Sequence, residues 1–215
     1  MEFDPAALPP NGMYKLLISA VVPRPIAWVS SIDAEGVRNL APFSYFMAIT
    51  DDPPTIAFAC SHRGAGADGK KDTLRNVEAT REFVVNVVDD DRAAQMNVTS
   101  GDYPPEIDEF DVAGLSVTPG ARVKAPRVSD APIAMECRLD RIVPVGRANL
   151  VLGRIVYLHV REGLYDAATG RVDMHRLRPV GRLAGNLYTH ARHLRDEAAQ
   201  RRLSRLTSRV PCTTW

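Results

Sequence analysis

The 215-residue sequence predicts a mainly β fold with short flanking helices, on three observations. Ile133, Met135, Cys137 and Leu139 alternate with Glu136, Arg138 and Asp140. Farther on, Leu150, Leu152, Val156, Leu158 and Val160 alternate with Gly153, Ile155, Tyr157 and His159. This period of two gives each strand one apolar face. Residues 55–60 and 83–88 are compact apolar runs of strand length. Residues 27–32, the turn Asp33-Ala34-Glu35-Gly36 and residues 39–44 read as strand, turn and returning strand.

Taken in order, residues 1–12 are Pro-rich and irregular, and residues 13–19 have room for one or two helical turns before the Pro23-Arg24-Pro25 break. After the first strand pair and the 55–60 strand, residues 72–81 have a helical pattern. The 83–88 strand follows, then a second helix over 89–98. Residues 100–114, with Tyr103-Pro104-Pro105 and Asp108-Glu109-Phe110, read as a long loop and a candidate lid. The two alternating strands come next, and residues 189–209, with six Arg against Asp196 and Glu197, have helix-forming composition. That tail reads as a solvated helix or an arm embracing a second subunit. Glu136, Arg138 and Asp140 share one strand face and read most economically as a charged outer surface.

The length suits one domain spanning 1–215, with ample chain for a core. Apolar residues make up 45% and charged residues 25%, and the net charge of +1 offers no reason to expect nucleic acid or an acidic membrane as partner. A small-molecule ligand is expected. Cys60, Cys137 and Cys212 are too few and too scattered for a disulfide framework or a paired metal motif. His190-x-x-His193 lacks a third ligand nearby, so no metal is expected. No basic, apolar leader and no membrane-length apolar run is present, and a soluble, cytoplasmic protein is expected.

Gly64-Ala65-Gly66-Ala67-Asp68-Gly69 fits G-x-G-x-x-G, which raises a dinucleotide fold. His62 and Arg63 interrupt the strand-to-glycine junction, Lys70-Lys71-Asp72 stands where an apolar helix face should begin, and β-α alternation does not continue. The same stretch makes a better mononucleotide phosphate site. Its backbone can bend around an anion, Lys70 and Lys71 supply charge, and a helix beginning at Asp72 or Thr73 aims unpaired N–H groups outward. Ser61 and Arg63 could complete that cage. A solvated helix start would carry the same lysines. Neither a G-x-S-x-G turn nor a Cys–His spacing points to covalent catalysis. His62 and Glu109 could border a substrate cleft.

The run Pro23-Arg24-Pro25-Ile26-Ala27-Trp28-Val29-Ser30-Ser31-Ile32 through Asn39-Leu40-Ala41-Pro42-Phe43-Ser44-Tyr45-Phe46 resembles the signature of the flavin reductase-like family of FMN-binding split barrels. Lys71-Asp72-Thr73-Leu74 with Asn76 and Phe83-Val84-Val85-Asn86 resembles its second signature, and residues 179–188 its C-terminal Arg-Leu-Gly-Gly and Tyr element, with Ala184 at a usual glycine. The resemblance spans residues 13–190. It implies a six-stranded Greek-key split barrel, a homodimer, and one FMN per subunit near the interface. By that match the FMN phosphate meets Arg63, Lys71 and Thr73, with Asp72 an organiser or ribityl contact. Ser30 and Ser31 fall near the ring edge, and Asn39, Ala41, Pro42, Phe43 and Ser44 lie along the ring and ribityl chain, with backbone N–H groups there bonding the flavin. Arg182 and Tyr188 face the flavin or the neighbouring subunit. The implied activity is NAD(P)H-dependent flavin reduction, with hydride passing from nicotinamide to flavin and electrons onward to an acceptor or a partner monooxygenase. The flavin would carry the redox chemistry, so no protein catalytic residue is named. An FMN-binding electron carrier without its own nicotinamide site is the alternative, and a structural or sensory barrel a second.

Overall fold

The computed structural model describes residues 1–61 and 69–191. Its centre is a seven-stranded sheet of β1 (Ala27–Ile32), β2 (Arg38–Phe43), β3 (Phe46–Asp51), β4 (Pro54–Ser61), β5 (Glu82–Asn86), β6 (Ile133–Val145) and β7 (Ala148–Val160). The spatial order is β2-β1-β5-β6-β7-β4-β3, every neighbouring pair being antiparallel. The two edge strands, β2 and β3, follow one another in the chain with only Ser44 and Tyr45 between them. The sheet must therefore curl until its edges approach, which makes an incompletely closed barrel. Seven strands replace the expected six. The extra one is β3, whose residues are mostly exposed along an edge and so show no buried-face pattern. The antiparallel pairing also removes the dinucleotide-fold reading, which needs parallel β-α-β units.

β1 is covered on both faces, which is why its sequence is a continuous run rather than an alternation. Ala27 and Val29 join the inner core with Phe43, Phe58, Phe83 and Val151, whereas Trp28 joins an outer cluster with Leu40, Met96, Phe110 and Val180. The Phe58 ring lies 4.9 Å from Phe43 and 5.5 Å from Phe83, centroid to centroid. The helix α1 (Gly12–Ala20) buries no residue, while α2 (Asp72–Thr80) sends Leu74 and Val77 into the inner core.

β6 and β7 form a long hairpin, but the buried face differs from the one the alternation suggests. Val151 and Gly153 are buried and Leu158 is exposed. Register shifts at Leu152/Gly153 and Ile155/Tyr157 re-phase the strand, and a periodicity read through a bulge inverts. Glu136 is likewise no surface charge. It is fully buried, accepting hydrogen bonds from the amides of Ala121 (2.6 Å), Arg122 (2.6 Å) and Val123 (3.1 Å) and pairing with His159 Nε2 at 2.6 Å.

The expected helix over 89–98 begins instead with Asp89 bridged to Pro179 and a 3-10 turn, Asp90–Arg92, before α3 (Ala93–Val98). The expected 100–114 loop contains the short helix α4 (Glu109–Val112). A small sheet pairs Arg24–Pro25 with Val180–Arg182 and that strand with Tyr188–His190. Thr189 and His190 are therefore strand, not helix, and the rest of the arginine-rich tail, from residue 192, lies outside the described residues. No helix among the described residues is long and apolar enough to cross a membrane.

Candidate functional site

A cavity of about 760 Å³ opens between the ends of β2 and β4, the start of α2, helix α1 and the loop after Val180–Arg182. Pro42, Phe43, Ser44, Ser61, Lys71, Arg182 and Tyr188, seven of the residues singled out in the sequence, line it. A smaller pocket lined by Asn39, Ala41, Asp72, Thr73 and Glu109 shares Pro42, Lys71 and Ser100 with it. Arg63, together with His62 and Gly64 to Asp68, lies outside the described residues. His193 does too, and His190 pairs with Asp90 through Nδ1 at 2.5 Å. Among the described residues no cluster of metal-ligating side chains is found.

Ser30 and Ser31 do not reach the cavity wall. β1 sits inside the sheet with both faces covered, so the Ser30 hydroxyl donates to the Pro126 carbonyl at 2.5 Å and accepts from Asn86 Nδ2 at 3.2 Å. Ser31 accepts from Asn76 Nδ2 at 3.1 Å and stands behind Asn39.

Asn39 links three elements. Its Nδ2 donates to Glu109 Oε1 at 2.7 Å, and its Oδ1 accepts from Thr73 Oγ1 at 2.7 Å. The Thr73 hydroxyl hydrogen is thus committed to Asn39, and what Thr73 can offer an anion is its backbone N–H in the first turn of α2. No side chain caps that turn, since Lys71 precedes it in an extended conformation and the first bonds back to its carbonyl come from Leu74 and Arg75. The Lys71 ammonium stands 5.5 Å from the Phe43 ring centroid. Asp72 turns to Arg75, which suits an organiser of the helix start.

The backbone of β2 offers fewer donors than expected. Strand neighbours point their N–H groups to alternate sides. Leu40 N–H is taken by Glu109 Oε2 at 3.0 Å, and Pro42, next on that side, has none. Burial pushes the Glu109 carboxyl above its ordinary value, against the bonds from Leu40 and Asn39 that lower it. Burial also pushes Cys60 up to about 11, although Lys71 nearby pulls it down, which disfavours the reactive thiolate form.

The C-terminal wall is built from Arg182 and Tyr188. The guanidinium donates to the Tyr188 hydroxyl and, at 2.5 Å, to the Gly185 carbonyl, and sits 4.5 Å from the ring centroid. Tyr188 in turn donates to Asn97 Oδ1 at 2.9 Å. The sequence reading missed Lys15, Arg24, Tyr45, Met96 and Asn186, all of which line the cavity. They lie on elements far apart in sequence that only the tertiary fold brings together, although Arg24 did stand between two prolines within the first motif.

A family model described as a flavin reductase like domain matches residues 19–189. The chain belongs to the flavin reductase-like family. A relative of this family, an uncharacterized protein of Aquifex aeolicus, is 39% identical over 89% of this chain and 96% of its own length. Among solved structures, nitrilotriacetate monooxygenase component B from Bacillus cereus is 35% identical with a TM-score of 0.86, over 91% of this chain and 98% of that one. The 2-nitrobenzoate 2-nitroreductase NbaA of Pseudomonas fluorescens is 33% identical with a TM-score of 0.82, over 100% of this chain and 98% of that one. These flavin reductase-like split barrels share the mainly β architecture with one large antiparallel sheet.

Proposed function

We propose that the protein is an FMN-dependent oxidoreductase that takes reducing equivalents from NAD(P)H, working as a homodimer. The observation that carries the reading is the α2 start. An uncapped helix N-terminus and the Lys71 ammonium, which has no ion pair among the described residues, meet at the rim of the 760 Å³ cavity. That volume is in the upper part of the roughly 300–1,000 Å³ usual for ligand sites. A phosphomonoester fits this corner, because helix N–H groups and a lysine complement its charge. Pro42 and Ala41 form a shallow, stiff wall for a planar ring, and Asn39 holds that wall in register with α2. The names of the two solved relatives, a monooxygenase component and a nitroreductase, agree with a redox role.

FMN bound here would supply the two-electron chemistry, and the chain's own residues would bind and orient it. Lys71 and the first-turn amides of α2 would hold the phosphate. Phe43 would fix the Lys71 ammonium, and Arg182 and Tyr188 would close the far wall. Dimerisation is supported by unpartnered apolar surface. α1 buries nothing, Tyr14 and Leu17 are exposed on it, and Met47 and Ile49 stand 51% and 46% exposed on the edge strand β3.

The test compares FMN with riboflavin. Lys71→Ala should weaken FMN by about 1.5–3 kcal/mol, the value of a charged hydrogen bond, and leave riboflavin nearly unchanged. Equal losses for both would remove Lys71 from a phosphate site. Anaerobic addition of NADH and then NADPH to the FMN-loaded protein should bleach the flavin band. Bound FMN that neither nucleotide reduces would favour the electron-carrier reading.

A further inference from the structure

The cavity carries more positive charge than an FMN phosphate at Lys71 requires. Lys15, Arg24 and Arg182 also line it, and no Asp or Glu among the described residues does. None of these three borders the smaller pocket at the α2 start, whereas Lys71 does. Arg24 is only 5% exposed, yet its partners are all neutral. Nη1 donates to the carbonyls of Ile18 (2.6 Å) and Val21 (2.9 Å), Nη2 to Leu183 (2.9 Å), and Nε weakly to Ser44 Oγ at 3.4 Å, with the Tyr45 ring centroid 5.9 Å away. Buried arginines are ordinarily paired with a carboxylate. Elsewhere in this chain even the more exposed Arg38, Arg75, Arg92, Arg161 and Arg178 each have one. Arg182 is satisfied by Tyr188 and Gly185, and Lys15 has no ion pair among the described residues.

We propose that the Lys15–Arg24–Arg182 side of the cavity binds the carboxylate of a small aromatic acid, the second ligand of the site. The proposal rests on the flavin-dependent reading above and names the class of molecule that shares the cavity. The division of labour follows from the contacts. Arg24 is locked by the protein and contributes a fixed positive charge through the wall, while the Lys15 ammonium remains to contact the anion directly. One lysine with a locked arginine behind it suits a single carboxylate better than the several oxygens of a diphosphate. Tyr14, Tyr45 and Tyr188, with Ile26 and Met96, line the same space and suit an aromatic body.

The experiment titrates benzoate and its neutral isostere benzamide into the purified full chain, with and without FMN. Heat is followed in both cases and the flavin absorbance difference spectrum in the loaded protein. Benzoate should bind at least about tenfold more tightly than benzamide, a difference of about 1.4 kcal/mol. Lys15→Glu should abolish most of that preference by weakening benzoate alone, and Lys15→Arg should keep it. Equal binding of the two ligands, or a preference that survives Lys15→Glu, overturns the proposal. So does a Lys15-dependent NADH affinity with no benzoate binding, which would assign the charge to a dinucleotide diphosphate. FMN titration of the same protein reads the flavin site separately. Loss of FMN binding with the benzoate preference intact would strike the proposed function and leave the anion site standing.

Discussion

Glu136 shows how far one residue can depart from its apparent role. In sequence it is one of three charges on a strand, and in the structure its carboxylate terminates three consecutive amides of residues 121–123. Burial alone would push its carboxyl up. The bonds from His159 and from the three amides outweigh that and hold it below the ordinary carboxylate value. A carboxyl depressed in the folded state stabilises the fold above the unfolded value of about 4.3, and this stabilisation is lost as pH falls through the lower folded value. Glu136→Gln, which turns an amide donor toward backbone donors, should cost about 1.5–3 kcal/mol at pH 7. Urea unfolding at pH 7 and at pH 3 should show the gap between wild type and variant narrowing in acid. A gap unchanged by pH would mean that the charge contributes nothing. Arg24 and Lys71 make the same point for the site, since their types were visible in the sequence, and that neither has a carboxylate partner among the described residues was not.

At the scale of elements, the β6–β7 hairpin depends on Gly153. A Cβ built there would collide with the Phe83 ring, standing inside contact distance of Cζ and 2.8 Å from Cε1. The position lies beside a register shift, where the two strands re-phase and the inner core takes its most buried aromatic rings. Gly153→Ala should destabilise by about 1–3 kcal/mol, the usual range for overpacking. Combining it with Phe83→Leu should cost less than the sum of the two single changes, because the smaller side chain vacates the space the methyl needs. Additive losses in denaturant midpoints would show that the two residues do not compete for volume. α2 is the converse case. Its position was legible from the pattern over 72–81, whereas the burial of Leu74 and Val77 and the role of its first turn follow from how it packs on the sheet.

For the whole molecule, the proposed dimer would cover apolar surface that the described residues leave exposed. A nine-residue helix is marginal alone, and α1 has no buried side chain to hold it. Sedimentation at micromolar concentration should give twice the chain mass, and Met47→Asp combined with Ile49→Lys on the β3 edge should shift the protein toward monomer with its circular dichroism intact. A wild type that runs as a monomer while binding FMN would place the site within one subunit. The mainly β character, the first strand pair, α2 and the family signatures were determined by the sequence itself, because turn residues, periodicity and helix starts are local properties of the chain. The seventh strand, the inverted face of β7, the burial of Glu136 and of Ser30, and the assembly of Lys15, Arg24 and Arg182 around one cavity were decided by the tertiary structure. Each depends on which residues the curled sheet brings together across long separations. Arg24 meets the Leu183 carbonyl 159 residues away, a contact that no local pattern encodes and that the pairing of Arg24–Pro25 with Val180–Arg182 creates.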